Sequence, residues 1–121
     1  MKNIILLFST IVMATTALSQ TKGSNKLVAR GAEPVLVSAD YSFTEGPAVN
    51  RAGDVFFTDQ PNNRIFKWSE GEGVSLFMEN AGRANGLYFS KDGYLLACAD
   101  ENNELWSITP EGAHTVLVTG F

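Results

Sequence analysis

The chain is short of the side chains that most enzymatic chemistry uses. Among its 121 residues there is one cysteine, Cys98, and one histidine, His114. With a single thiol, no disulfide can form within the chain. Cys98 falls on an expected inner strand, where a small buried side chain is the ordinary role for free cysteine. His114 falls at an outer-strand position, which sets it aside as a catalytic group. No run of lysines or arginines occurs, and the net charge is −4. Both facts argue against nucleic acid as a partner. Ser42 and Ser90 have no adjacent base and no nucleophile elbow, so nothing points to a serine hydrolase. No window after residue 30 sustains a helical period, which excludes a helical core.

What is present begins with an export signal. Lys2 supplies a positive start, Ile4-Ile5-Leu6-Leu7-Phe8 opens an apolar stretch, and Ala17-Leu18-Ser19 places small residues at −3 and −1. Residues 1–19 therefore read as a secretory signal peptide cut before Gln20. Ser9, Thr10, Thr15 and Thr16 dilute a segment barely long enough to span a bilayer, which argues against an anchor. No cysteine stands at the cut, which argues against a lipoprotein. The expected location is periplasmic or secreted, with no membrane attachment after cleavage. Loss of Lys2 with the signal takes the charge to −5. Residues 20–33 are polar and read as a flexible leader.

From residue 34 to 121 the sequence repeats. A shift of forty carries Gly46 onto Gly86, Gly53 onto Gly93, and Asn62-Asn63 onto Asn102-Asn103. Apolar residues follow: Val55-Phe56 onto Leu95-Leu96, Ile65-Phe66 onto Leu105-Trp106, and Leu76-Phe77 onto Val116-Leu117. Short β-branched and aromatic runs between Gly, Asn and Pro turns predict four strands per copy. They are expected at 46–49, 54–58, 64–68 and 74–78, then at 86–89, 94–98, 104–108 and 114–118. A period of about 40 residues with four strands is the pattern of a β-propeller blade. Pro34-Val35-Leu36-Val37 lies at the fourth-strand phase of a preceding blade, so residues 34–38 are expected to lend an outer strand to a closing blade. Two blades cannot close a ring, and a propeller needs at least four. The expectation is a partial propeller, the front of a longer chain, with exposed apolar faces and an open sheet edge.

Glu45 is the first candidate for chemistry, because it stands where a blade turns towards the central channel. Gly46 lets the backbone pass closely and Pro47 stiffens the approach. The register puts Asn85 at the equivalent place in the next blade. A carboxylate and amide oxygens converging from several blades suit a hard divalent cation, Ca²⁺ ahead of Mg²⁺. The competing readings are a solvated or capping carboxylate for Glu45 and an Asn-Gly turn for Asn85. Arg83, two residues earlier, is placed either to meet a substrate oxygen or as a surface charge. Asp59 and Asp100 lie after the second strands and read as turn caps. Trp68 and Trp106 read as packing between blades.

These residues resemble a known family. Phe43-Thr44-Glu45-Gly46-Pro47, Phe57-Thr58-Asp59 and Pro61-Asn62-Asn63-Arg64-Ile65-Phe66-Lys67-Trp68 are similar to the opening blade of gluconolactonases. Ala84-Asn85-Gly86-Leu87, Asp92-Gly93 and Leu95-Leu96 are similar to their second blade. The wider group includes regucalcin and luciferin-regenerating enzyme. The resemblance implies a six-bladed all-β propeller, of which this chain holds about the first two blades. It also implies a divalent metal, often Ca²⁺, in the channel, and hydrolysis of sugar-acid lactones. Glu45 then falls on a metal ligand, while Asn85 and Arg83 are expected on the substrate side of the pocket. The remaining ligands and the catalytic base would lie beyond residue 121, leaving the catalytic residues unassigned and these 121 residues inactive alone. The alternatives are an exported propeller that binds without catalysis, and a related metal-dependent esterase or phosphotriesterase-like hydrolase.

Overall fold

A computed structural model describes residues 28–120. The expected signal peptide and leader residues 20–27 lie outside the described residues, as does Phe121. The chain divides into one part ending at Pro34 and another running from Val35 to the C-terminus. In the described stretch of the first, a turn is closed by the Ala32 N–H donating to the Ala29 carbonyl at 3.0 Å.

The second part is two antiparallel four-stranded sheets. The first blade contains β1 (Thr44–Val49), β2 (Val55–Asp59), β3 (Arg64–Ser69) and β4 (Gly73–Glu79), paired in that order. The second contains β5 (Ala84–Phe89), β6 (Leu95–Ala99), β7 (Glu104–Ile108) and β8 (His114–Thr119), again in order. All eight expected strands are present. The largest difference is at β1 and β5, which begin two residues earlier than composition suggested. A register shift between Glu45 and Ala48 in β1, and between Ala84 and Leu87 in β5, carries the ladder past the Gly-containing step. Such a bulge lets a strand continue where regular pairing would stop. Glu45 therefore lies within a strand, not ahead of it.

The bulges themselves repeat. A second pair falls in β4, where Phe77 is the extra residue opposite Ile65 and Phe66, and in β8, where Leu117 is the extra residue opposite Leu105 and Trp106. Each second-to-third strand connection is a short 3-10 turn, Gln60–Asn62 or Asp100–Asn102. The closing residues, Asn63 and Asn103, are left-handed at φ 57° and 53°. Asparagine tolerates that region better than most side chains.

Strand alternation decides what is buried. Phe56, Ile65, Leu95, Ala97, Ala99, Trp106 and Ile108 form the core between the sheets. The Phe56 ring meets Phe77 and Phe89 edge-on, with centroids 4.9 and 5.0 Å away. On the other face of the first blade, Tyr41 packs edge-on to Phe57 and Phe66. Trp106 is buried and stacks on His114 with centroids 3.7 Å apart. The same alternation corrects one expectation. Cys98 is exposed, because Leu95, Ala97 and Ala99 take the face turned to the first blade and Cys98 points the other way. That far face is a shallow apolar surface that includes Tyr88, Leu96, Cys98 and Leu105. Tyr88 is 68% exposed, and every residue of β8 is exposed. Val35–Ser38 join neither of the two sheets and are exposed; the closing blade to which residues 34–38 are expected to lend a strand is not among the described residues.

The tightest backbone approach between blades is at Gly46. Its φ is +60°, and a Cβ there would sit 2.1 Å from the Asn85 carbonyl oxygen. Gly46→Ala is expected to destabilise the chain by about 2–4 kcal/mol, combining left-handed strain with overpacking. Gly53→Ala is the control, since open space surrounds Gly53 and φ is +92°. It should lose only the backbone contribution, about 1–2 kcal/mol. Denaturant unfolding of both variants measures the difference.

Candidate functional site

The candidate site is built from the lead-ins to β1 and β5, the first strands of the two blades, which lie against each other. Phe43 precedes Glu45 as Arg83 precedes Asn85, in the forty-residue register. Each lead-in has to leave a turn and enter a strand at one angle if its next side chain is to reach a common space.

For Glu45 the angle is set by Asp59. One oxygen of that carboxylate, Oδ1, accepts the Ser42 N–H at 3.1 Å and the Phe43 N–H at 3.0 Å. The other, Oδ2, accepts from the Asn62 side-chain amide at 2.7 Å. The Gln60 N–H donates back to the Phe43 carbonyl at 3.2 Å. Asp59 thus has a structural role different from the turn cap read from sequence: it makes no side-chain cap bond to the backbone of the Gln60–Asn62 turn and instead holds the lead-in to the strand that carries Glu45. Thr58, fully buried, donates its hydroxyl to the Glu45 carbonyl at 3.0 Å. Sequence reasoning passed over Thr58; its only signal was a polar residue on the inward face of β2.

Glu45 itself is half-buried, and its carboxylate makes no hydrogen bond among the described residues. Asn85 is half-buried too, and its carbonyl lies against Gly46. The Asn85 side of the site opens into a cleft of about 220 Å³ shared with Cys98, Ala99, Asp100, Asn103 and Glu104. Arg83 is exposed, with φ +51°, and its guanidinium makes no ion pair among the described residues. The structure therefore brings Glu45 and Asn85 to matching positions of neighbouring strands, with Arg83 two residues before Asn85. Among the described residues no cluster of three or more His, Cys, Asp or Glu side chains is positioned to hold a metal. Glu45 and Asn85 supply oxygen donors only, the type that suits a hard cation, but they are two where Ca²⁺ takes six to eight.

The fold has solved counterparts. A candidate gluconolactonase of known X-ray structure is 30% identical with a TM-score of 0.69, over 75% of this chain and 32% of that protein. The resemblance is to gluconolactonases. A gluconolactonase from Xanthomonas campestris gives a TM-score of 0.62 at 20% identity, covering 65% of this chain and 27% of its own. A streptogramin B lyase gives 0.57 at 20% identity, covering 65% and 27%. At those two identities the likeness concerns fold alone. The chain spans about a third or less of the length of each of these proteins. No protein-family model matches the chain, and no curated protein does. The gluconolactonase-like fold here is thus two propeller-type sheets, with the candidate side chains at their shared inner edge.

The Asp59 clamp has a pH signature. Burial raises the Asp59 pKa, but the hydrogen bonds from Asn62, Phe43 and Ser42, with Arg64 nearby, outweigh it and leave the carboxyl below its ordinary value. A depressed folded-state pKa means that Asp59 stabilises fully above the unfolded carboxylate value, about 3.9, and that this is lost as pH falls through the lower folded value. Asp59→Ala should therefore lose about 1–3 kcal/mol at neutral pH, because it removes the charged acceptor of three part-buried hydrogen bonds. Its stability should also fall less steeply than wild type below about pH 4. Thermal unfolding from pH 7 to 2 checks both; equal acid slopes would contradict the assignment.

Proposed function

We propose that this chain is the opening part of an exported six-bladed propeller lactonase that hydrolyses sugar-acid lactones with a divalent cation, Ca²⁺ being favoured. The observation that carries the reading is the juxtaposition of Glu45 and Asn85 at one register position of neighbouring inner strands, held by the contact of Gly46 with the Asn85 carbonyl. The 30% identity to a candidate gluconolactonase supports it.

Glu45 would hold the cation with its carboxylate, and Asn85 would line the same pocket with a neutral amide. A cation bound there supplies Lewis-acid polarisation of a carbonyl group. Arg83 presents an exposed guanidinium to a carboxylate or hydroxyl oxygen of the substrate. Hydrolysis adds water across the acyl C–O bond of the lactone, so the carbonyl carbon gains the water oxygen and the ring oxygen leaves as a hydroxyl. Negative charge develops on the carbonyl oxygen as water attacks, which is where fixed positive charge lowers the barrier. The base that takes the water's proton is not assigned among these residues.

In the full-length protein, Glu45→Gln should weaken Ca²⁺ binding by about tenfold or more, because affinity follows the charge of the ligand set. Lactone turnover should fall in parallel. Calorimetric Ca²⁺ titration and hydrolysis of a sugar-acid lactone at limiting Ca²⁺ read the two quantities. Unchanged hydrolysis at limiting Ca²⁺ would overturn the assignment of Glu45. Ca²⁺ binding by the wild type without any lactone turnover would select the non-catalytic binding propeller.

A further inference from the structure

We infer that Asn63, which belongs to the first blade, is the positioning residue for Arg83 and Asn85 in the second; the functional weight of this rests on the reading of that site given above. Its basis is a comparison of the two lead-ins. In the first blade the Phe43 N–H, two residues before Glu45, is caught by the Asp59 side-chain oxygen at 3.0 Å. In the second blade the matching amide belongs to Arg83, two residues before Asn85. The residue paired at the end of the second strand is now Ala99, as Asp59 is in the first blade, because Thr44 pairs with Asp59 and Ala84 with Ala99. Alanine has no oxygen to offer. The place is instead occupied by packing: a Cβ on Gly82 would lie 2.8 Å from the Ala99 Cβ and 2.9 Å from Trp106.

Asn63 supplies the missing acceptor from the other blade. Its side-chain oxygen accepts the Arg83 N–H at 2.6 Å, and its main-chain carbonyl accepts the Ala81 N–H at 3.1 Å. The Glu101 N–H adds a bond to the Gly82 carbonyl at 3.0 Å. The crossover needs this support. Asn80, Gly82 and Arg83 all have positive φ, at 53°, 61° and 51°, and a left-handed arginine carries local strain. Half of the latch recurs one repeat later, where the left-handed Asn103 accepts the Gly120 N–H at 2.9 Å. The side-chain bond reaches the lead-in amide itself, and it couples the position of Asn85 to the turn of the preceding blade.

Two variants isolate that bond in the full chain. Asn63→Gly keeps the left-handed turn and the main-chain acceptor but removes the side-chain oxygen. Asn63→Asp keeps the oxygen while losing the weak contact from the Asn63 amide to Glu101 at 3.5 Å. The expected result by NMR is that Arg83 amide exchange in Asn63→Gly speeds up about tenfold or more relative to wild type. The Asn85 side-chain amide signals should shift, the Ile65 and Ile108 methyl signals should stay, and Asn63→Asp should restore wild-type behaviour. Unchanged Arg83 exchange or unmoved Asn85 signals in Asn63→Gly would overturn the proposal. So would free exchange of the Arg83 amide in the wild type, whatever the variants do. None of these readouts uses cation or substrate. If Asn85 moves while the KM for a sugar-acid lactone in the full-length protein does not, positioning stands and the substrate-side reading of Asn85 fails.

Discussion

One close approach governs the arrangement of the two sheets. The main chain at Gly46 lies against the Asn85 carbonyl, at a separation that admits no side chain. This is possible because Gly46 is left-handed and because the β1 bulge turns its backbone towards β5. A larger residue at that position would push the inner edges apart. The Phe56 ring, backed edge-on by Phe77 of its own blade, is in edge contact with Phe89 across the same interface and depends on the same spacing. Thr58 then ties the Glu45 carbonyl into the sheet from behind, so the strand cannot relax away from its neighbour without losing a buried hydrogen bond. The geometry of the candidate site is therefore a consequence of backbone packing, and its side chains are carried into place by it.

Two solutions to one local problem distinguish the blades. Both lead-ins must hold an amide two residues before the candidate side chain. The first blade uses a buried carboxylate, which is 1% exposed and satisfied by three donors. The second uses an amide oxygen borrowed across the blade boundary. A charged acceptor gives the stronger bond, whereas a borrowed acceptor transmits any displacement of the preceding turn. The repeat is thus regular in its strands and bulges and irregular in the fastening of its lead-ins.

Most of the fold could be read from the chain itself, for a physical reason. Strand alternation and turn chemistry are local properties, so a forty-residue shift that superposes Gly53 on Gly93 and Ile65 on Leu105 also superposes the strands that they bound. Strand starts at β1 and β5 were less legible, since a bulge keeps Glu45 and Asn85 in the ladder next to glycines that composition reads as breaks. Cys98 was read as buried because a five-residue strand with Leu95, Leu96, Ala97 and Ala99 is apolar on both sides and has no visible alternation. Glu45 was singled out by its place at a blade entrance and by the Glu45-Gly46-Pro47 resemblance, and Asn85 by the forty-residue register. The part of Asn63 was hidden, because Asn62-Asn63 after a second strand reads as turn chemistry alone, while the Arg83 amide that it holds lies 20 residues further on.

The central claim of the proposal is that neighbouring blades deliver Glu45 to a cation and Asn85 to the pocket around it. The most direct measurement is a Ca²⁺ titration of the isotope-labelled full-length protein, following the Glu45 carboxylate and Asn85 side-chain amide signals together. The account predicts that both move along one saturation curve with one dissociation constant. Saturating Ca²⁺ that leaves both signals in place, or curves with different dissociation constants, would contradict it.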